Sequence, residues 1–197
     1  MTSFTPIIFN NAGKNAVAKF DFLPPYIDGS CRREPDFEQE YPAITGLCRP
    51  GFAAKLNIGD IVIYCTNQRG IGPRKVVAIL QVIAKLNTHE CAADWYFGQR
   101  LPFPSNLVTA NSKPIPLDQT HNIRNFSDVT KWDAMYKYRA TKYPIVTVCK
   151  KIQVELNNPT ILDVEVMKSI FCRVPGTQNP SLINEEQWAK LKKYLGL

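Results

Sequence analysis

Arg32-Arg33-Glu34 and Asp36 bring cations and carboxylates within a few residues of one another. An arginine there can donate to phosphate oxygens in a planar fork, and Glu34 or Asp36 can accept from the amino group of a base edge. The same side chains could instead pair with one another and pin the loop that carries them. Asn106 is of a type suited to bidentate contact with a nucleobase edge. It follows Leu101-Pro102-Phe103-Pro104-Ser105, whose prolines keep their predecessors extended and would present Ser105 and Asn106 in fixed positions. Asparagine is equally a common turn residue. Further on, Trp132, Met135, Tyr136 and Tyr138 are interleaved with Lys131, Lys137, Arg139 and Lys142. That pattern offers stacking platforms and phosphate contacts together. It also fits an amphipathic helix with aromatics inward and cations in water.

Covalent chemistry has less to draw on. The sequence contains no P-loop, GxGxxG, GxSxG or HExxH. His89-Glu90-Cys91 is not the zinc-deaminase pattern, because no PCxxC follows. The two histidines, His89 and His121, have no obvious partner in sequence. A zinc site from Cys31, Cys48, His89 and Cys91 would lack the paired-ligand spacing of structural zinc, so neither metal nor cofactor is expected. The six cysteines (Cys31, Cys48, Cys65, Cys91, Cys149 and Cys172) contain no CxxC and read as free, mostly buried thiols. No apolar run is long enough for a membrane span, and the N-terminus lacks a secretory pattern, so a cytoplasmic protein without a membrane partner is expected.

The net charge of +7 is uneven along the chain. Residues 1–60 carry 6 basic and 7 acidic groups, residues 61–156 carry 13 and 6, and residues 157–197 carry 5 and 4. The surplus lies in the middle, as it would for a protein that meets a polyanion. A basic surface kept for solubility would look the same.

The elements that must position these residues are organised around Cys48 to Gln81. Ile61 to Thr66 and Lys75 to Leu86 are apolar and β-branched, and read as two strands joined by the Gly/Pro-rich loop Asn67 to Arg74. Strands this apolar are covered on both faces or lie inside a barrel. Before them, Phe4 to Phe9 and Ala16 to Leu23 are strand candidates, and 26–42 is a loop whose Tyr26, Phe37 and Tyr41 argue for docking on the core. Residues 42–56 read as a short helix, with Pro42 at its start and an interruption at Pro50-Gly51. Thr88 caps a helix over HECAADWYFGQR, in which Trp95 is a core anchor or a stacking residue. Ser127 or Asp128 caps a helix to about Ala140, and Ile145 begins a strand that continues through Lys151 to Leu156. VEVMKSIFCRV fits strand or helix. Asn184 caps a final helix, EEQWAKLKKYLG, with Trp188, Leu191 and Leu195 as its docking face. At 197 residues this suits one domain over 1–197 with an N-terminal strand and loop extension.

At GDIVIYCT the chain resembles the PUA-like superfamily, which includes the EVE, ASCH and YTH domains. The resemblance comprises a helix, Leu56-x-x-Gly59-Asp60-x-Val62, a strand, and the second strand KVVAILQVIAKL, with EEQWAKL similar to the closing helix. GSCRREPDFE, YPAITGLCR and LNIGDIVIY together resemble a nucleotide-modification-associated domain family of phages and mobile elements. The resemblance implies an α+β fold, a small twisted β-barrel flanked by helices, that binds nucleic acid and reads a modified base in a pocket. Aromatic candidates for a base cage are Tyr64, Trp95, Tyr96 and Trp132. Asn106, Asp60, Glu34 and Asp36 are the polar readers, although Asp60 could simply cap its turn. Arg32, Arg33, Arg69, Arg74, Lys75, Lys137 and Arg139 would meet phosphates. The expected partner is DNA carrying a modified base, bound beside the central hairpin without catalysis. The ASCH branch also implies an alternative, an amidohydrolase acting on a modified nucleoside. It needs a lysine, a threonine and a glutamate together, such as Lys55, Thr66 and Glu34. A phage or mobile-element protein that acts by binding another protein is a third class.

Overall fold

A computed structural model of the chain describes residues 2–7, 35–37, 39–47, 50–66, 73–104, 106–110, 137–155, 158–175 and 181–197. In chain order the elements are β1 (Thr2–Ile7), β2 (Ala43–Ile44), α1 (Phe52–Lys55), β3 (Ile61–Thr66), β4 (Arg74–Leu86) and α2 (His89–Gly98). They continue with β5 (Val146–Val154), β6 (Thr160–Leu162), α3 (Val164–Phe171), β7 (Ser181–Ile183) and α4 (Glu185–Leu195). Helical turns also occupy 137–142. The chain is α+β, as the resemblance implies. Among the described residues no helix is long and apolar enough to cross a membrane.

The contacts divide the chain into two compact units: Met1–Ile8, Gly59–Gln81 and Lys151–Leu197 form unit 1, and Phe9–Ile58 with Val82–Lys150 form unit 2. In unit 1, β3 and β4 pair antiparallel from Ile61 opposite Gln81 to Tyr64 opposite Ala78. A bulge then brings Cys65 opposite Val76. β1 lies parallel to β3, with Thr2 opposite Ile61, and β7 closes the other edge of β1 antiparallel. β6 pairs with the start of β4, Arg74 opposite Leu162.

Val62, Ile63, Tyr64 and Cys65 are all buried, so β3 is covered on both faces, as its unbroken apolar run requires. Ile63, Cys65, Val76 and Ile79 pack with Leu162, Met167, Ile170, Phe171 and Leu191. VEVMKSIFCRV resolves to a helix because Asp163 accepts from the Val166 N–H at 2.7 Å and Met167, Ile170 and Phe171 then fall on one buried face. α4 starts on a capping box: Asn184 Oδ1 accepts from the Gln187 N–H at 2.8 Å, and Gln187 Oε1 accepts from the Asn184 N–H at 3.1 Å. Leu191 is fully buried, with Trp188 and Leu195 packed beside the same cluster.

In unit 2, α2 starts where expected, with Thr88 accepting from the Cys91 N–H at 3.0 Å. Ala43, Ala92, Tyr96, Leu107, Val146 and Val148 form the core, with Tyr41, Trp95 and Leu101 packed against it. The helix read over 42–56 is a correction. Ala43 and Ile44 pair antiparallel with Val148 and Thr147, and only Phe52–Lys55 is helical. A short apolar run carries too few turns to hold a helix against a waiting strand edge. Gly46 is required just beyond: a Cβ there would sit 2.5 Å from Tyr143 Cβ and 3.0 Å from the Tyr143 carbonyl oxygen. The strand candidate Ala16 to Leu23 lies outside the described residues, as does the first part of the helix expected from Ser127.

Candidate functional site

Within unit 2, three separate segments enclose a cleft of about 520 Å³. The start of α2 contributes Thr88, His89 and Glu90, and the segment after Leu107 contributes Val108, Thr109 and Ala110. The helical turns at 137–142 and the residues after them contribute Lys137, Ala140, Thr141 and Pro144.

Each segment is held by polar contacts that the fold supplies. The Thr88 cap fixes the first turn of α2, so His89 points inward and is 2 % exposed. Its Nδ1 accepts from the Val108 N–H at 3.1 Å, which joins the first segment to the second. An imidazole that accepts at Nδ1 and is neutral carries its proton on Nε2. Asn106, fully buried, donates from Nδ2 to the Ala43 carbonyl at 2.7 Å and so ties the second segment to β2. Arg139 donates from Nη1 to the Leu47 carbonyl at 2.9 Å, anchoring the third. Thr141 Oγ1 donates back to the Lys137 carbonyl at 3.0 Å. On the outer side, Lys142 Nζ lies 5.7 Å from the centroid of the Tyr138 ring and 5.6 Å from that of Tyr143. Hydrogen bonding to Tyr138, then the charge interactions of Tyr138 and Tyr143, hold the Lys142 ammonium above its ordinary pKa.

The cleft therefore has apolar walls at Val108, Ala110, Ala140 and Pro144. Around them are hydroxyls, one acid (Glu90, exposed) and one amine (Lys137, exposed). A carboxylate accepts only, an ammonium donates only, and a hydroxyl does either. Together they can define the donor and acceptor pattern of a small planar ligand, which is the usual make-up of a ligand pocket.

The described cleft is not the one that the sequence pointed to. It is walled by α2, 108–110 and 137–144 rather than by β3 and β4, whose Ile63, Val62, Ile79 and Leu80 are fully buried. Of the phosphate candidates, Lys137 lines the cleft. Arg139 is half-buried and engaged with Leu47, and Lys75 is half-buried in unit 1. Arg74 is 3 % exposed and donates from Nη2 to the Pro175 carbonyl at 3.2 Å. Burial lowers its pKa, with the neighbouring Cys65 acting in the opposite sense.

Of the base-reading candidates, Tyr96 is buried and donates its hydroxyl to the Tyr41 carbonyl. Burial pushes that phenol upward, with Cys149 and then Asp36 adding to the shift. Trp95 packs edge-on to Tyr41 and Tyr96, with ring centroids 6.1 and 5.0 Å away, as a core anchor does. Tyr64, Asp60 and Asp36 are buried, and none of them lines the cleft.

Arg32, Arg33, Glu34, Arg69 and Trp132 lie outside the described residues, as do Cys31 and Cys48. Of the hydrolase set, Lys55 is exposed on α1 in unit 2 and Thr66 ends β3 in unit 1. Among the described residues no group of histidine, cysteine and carboxylates is placed to hold a metal ion. Thr88, Glu90, Thr109 and Thr141 were not singled out as ligand contacts from sequence, and His89 was weighed there only for a zinc site or a histidine-based catalyst; Thr88 was visible only as a helix cap.

By unit, the basic surplus divides: unit 2 holds 15 basic and 11 acidic residues, and unit 1 holds 9 and 6. The excess in mid-sequence is thus shared between the units. The local signal is sharper, since residues 134–150 contain Lys137, Arg139, Lys142 and Lys150 and no carboxylate.

No family model and no curated protein matches the chain. Among solved structures it is similar to the ASCH protein of Zymomonas mobilis, with a TM-score of 0.42 and 8 % identity over 98 % of this chain and 94 % of that one. Two single-residue variants of the same Zymomonas protein match with TM-scores of 0.41 and 0.40, each at 10 % identity over 98 % of this chain. They cover 95 % and 96 % of those chains.

Proposed function

We propose that this chain is a nucleic-acid-binding module that takes a single modified base of DNA into the cleft of unit 2, in the cytoplasm and without a cofactor. One observation carries the proposal: a cleft of about 520 Å³ that combines apolar walls with Glu90, Lys137 and three threonines. That size falls in the range of about 300–1,000 Å³ usual for small-ligand pockets. A base inside a duplex has both faces stacked, so the target must leave the stack to enter. Glu90 accepts from an exocyclic amine and Lys137 donates to a ring carbonyl or the adjoining phosphate, while Val108 and Ala140 cover the faces.

An anisotropy titration with labelled oligonucleotides, plain and modified, at two salt concentrations tests this. Modified DNA should bind more tightly, and affinity should fall steeply with salt because phosphate contacts release counterions. Lys137→Ala should weaken binding; if Lys137 meets a phosphate, the salt slope also drops by about 1. Equal and salt-insensitive binding of both oligonucleotides, or no binding, overturns the proposal.

A second reading is favoured by one feature, the presence of a glutamate, a lysine and a threonine (Glu90, Lys137 and Thr141) in the same cleft. These are the residue types an amidohydrolase acting on a modified nucleoside would need, in place of Lys55, Thr66 and Glu34. Incubation with N-acylated nucleosides should then release the free amine, and Glu90→Gln should abolish the release. Unchanged substrate at stoichiometric protein rejects it.

A further inference from the structure

Beside the cleft, the turns at 137–142 carry a second feature. Lys137 and Thr141, one helical turn apart, line the cleft, whereas Tyr138 and Lys142 form the adjacent stripe. Tyr138 is 57 % exposed, unlike Tyr96 and Tyr64, which are buried. Its ring is braced by the Lys142 ammonium at 5.7 Å, which also lies 5.6 Å from the Tyr143 ring. The surrounding stretch 134–150 is entirely cationic in its charged residues. An exposed aromatic ring and a lysine, next to a base-sized cleft on a cationic stretch, match what a single strand requires of its binder. Such sites pair stacking platforms with backbone cations.

Resting on the cleft assignment above, we propose that Tyr138 and Lys142 hold the nucleotide adjoining the one in the cleft. Tyr138 stacks on the neighbouring base and Lys142 meets the phosphate between the two. A duplex must break a pair and unstack a base to fill the cleft, and its neighbouring base stays paired inside the helix, whereas a single strand offers the cleft base and a neighbour free to turn onto Tyr138 without breaking a pair. The partner is therefore single-stranded at this point, and a duplex with one extruded base binds less tightly.

The test compares a deoxynucleoside monophosphate, a single-stranded oligonucleotide and its duplex, all carrying the same modified base. Wild-type protein should prefer the single strand. Tyr138→Ala should weaken single-strand binding by roughly 5- to 150-fold, the effect of losing one stacked base. It should leave binding of the monophosphate unchanged. Tyr138→Phe, which keeps the ring, should retain single-strand affinity, and Lys142→Gln should lower the salt slope by about 1. Tyr138 is mostly exposed, and an unchanged melting temperature shows that Tyr138→Ala still folds. Equal single-strand affinity of wild type and Tyr138→Ala, or tighter binding of the duplex, overturns this inference and leaves the cleft assignment standing. Failure of wild type to bind any of the three ligands overturns both.

Discussion

Arg74→Met separates two roles that one arginine can play. By type and position, at the end of a Gly/Pro-rich loop, Arg74 reads as a phosphate contact. In the structure it is 3 % exposed, at the first position of β4, and its Nη2 donates to the Pro175 carbonyl at 3.2 Å. Methionine fills much of the same volume and removes the donors. Removing a buried hydrogen-bond partner costs about 1–3 kcal/mol. For a chain of this size each kcal/mol moves the melting temperature by about 2–4 °C, so the expected fall is roughly 2–12 °C. Thermal unfolding by circular dichroism measures the fall, and the oligonucleotide titration at two salt concentrations measures the other role. The variant should melt lower and keep its affinity and salt slope at temperatures where it is folded. An unchanged melting temperature with a salt slope reduced by about 1 would refute the burial argument and return Arg74 to the phosphates.

The remaining predictions concern burial and close packing. Burial raises the thiol pKa of Cys65 and Cys149 far above the ordinary 9.0, and that of the Tyr96 phenol above 10.0. At pH 8 a brief exposure to iodoacetamide should therefore label Cys91 and Cys172, which are exposed, and spare Cys65 and Cys149 as read by peptide mass mapping. Because these groups lose protons first in the unfolded chain, stability should fall as pH rises above about 9, which denaturant titrations from pH 8 to 10.5 would detect. Gly46→Ala would put a methyl group 2.5 Å from Tyr143 Cβ, and overpacking of that kind costs about 1–3 kcal/mol. An unchanged denaturation midpoint would show that the 45–47 segment shifts freely.

The parts of the fold legible in sequence are those in which local signals agree. β3 and β4 carry long β-branched runs, and α2 and α4 each begin at a polar cap followed by acid in the first turn. Capping and apolar period act within one turn, so a single sequence displays them. What escaped was decided by distant partners. Ala43–Ile44 is extended because β5 lies opposite it, and β6 and β7 are short strands made by pairing with β4 and β1. Three residues have no period to display. VEVMKSIFCRV carried enough apolar residues for either state, and the Asp163 cap tips it to helix.

The site was harder to read for a related reason. Asn106 and Arg139 have donors suited to nucleic acid, and both are engaged by backbone carbonyls, those of Ala43 and Leu47. Buried carbonyls outside long ladders must find donors somewhere, and side chains with forked N–H groups are the ones that reach them. Residue type alone therefore does not separate an arginine or asparagine that grips a ligand from one that grips its own chain. The groups that line the cleft are plainer: three threonines, one on each segment, with Glu90 and Lys137, drawn from stretches some 20 and 50 residues apart. No spacing rule joins residues at such distances; the contacts of His89, Asn106 and Arg139 do. The polar residues Asn106 and Arg139 that the sequence singled out in this unit thus help to shape the cleft, and less conspicuous ones beside them line it.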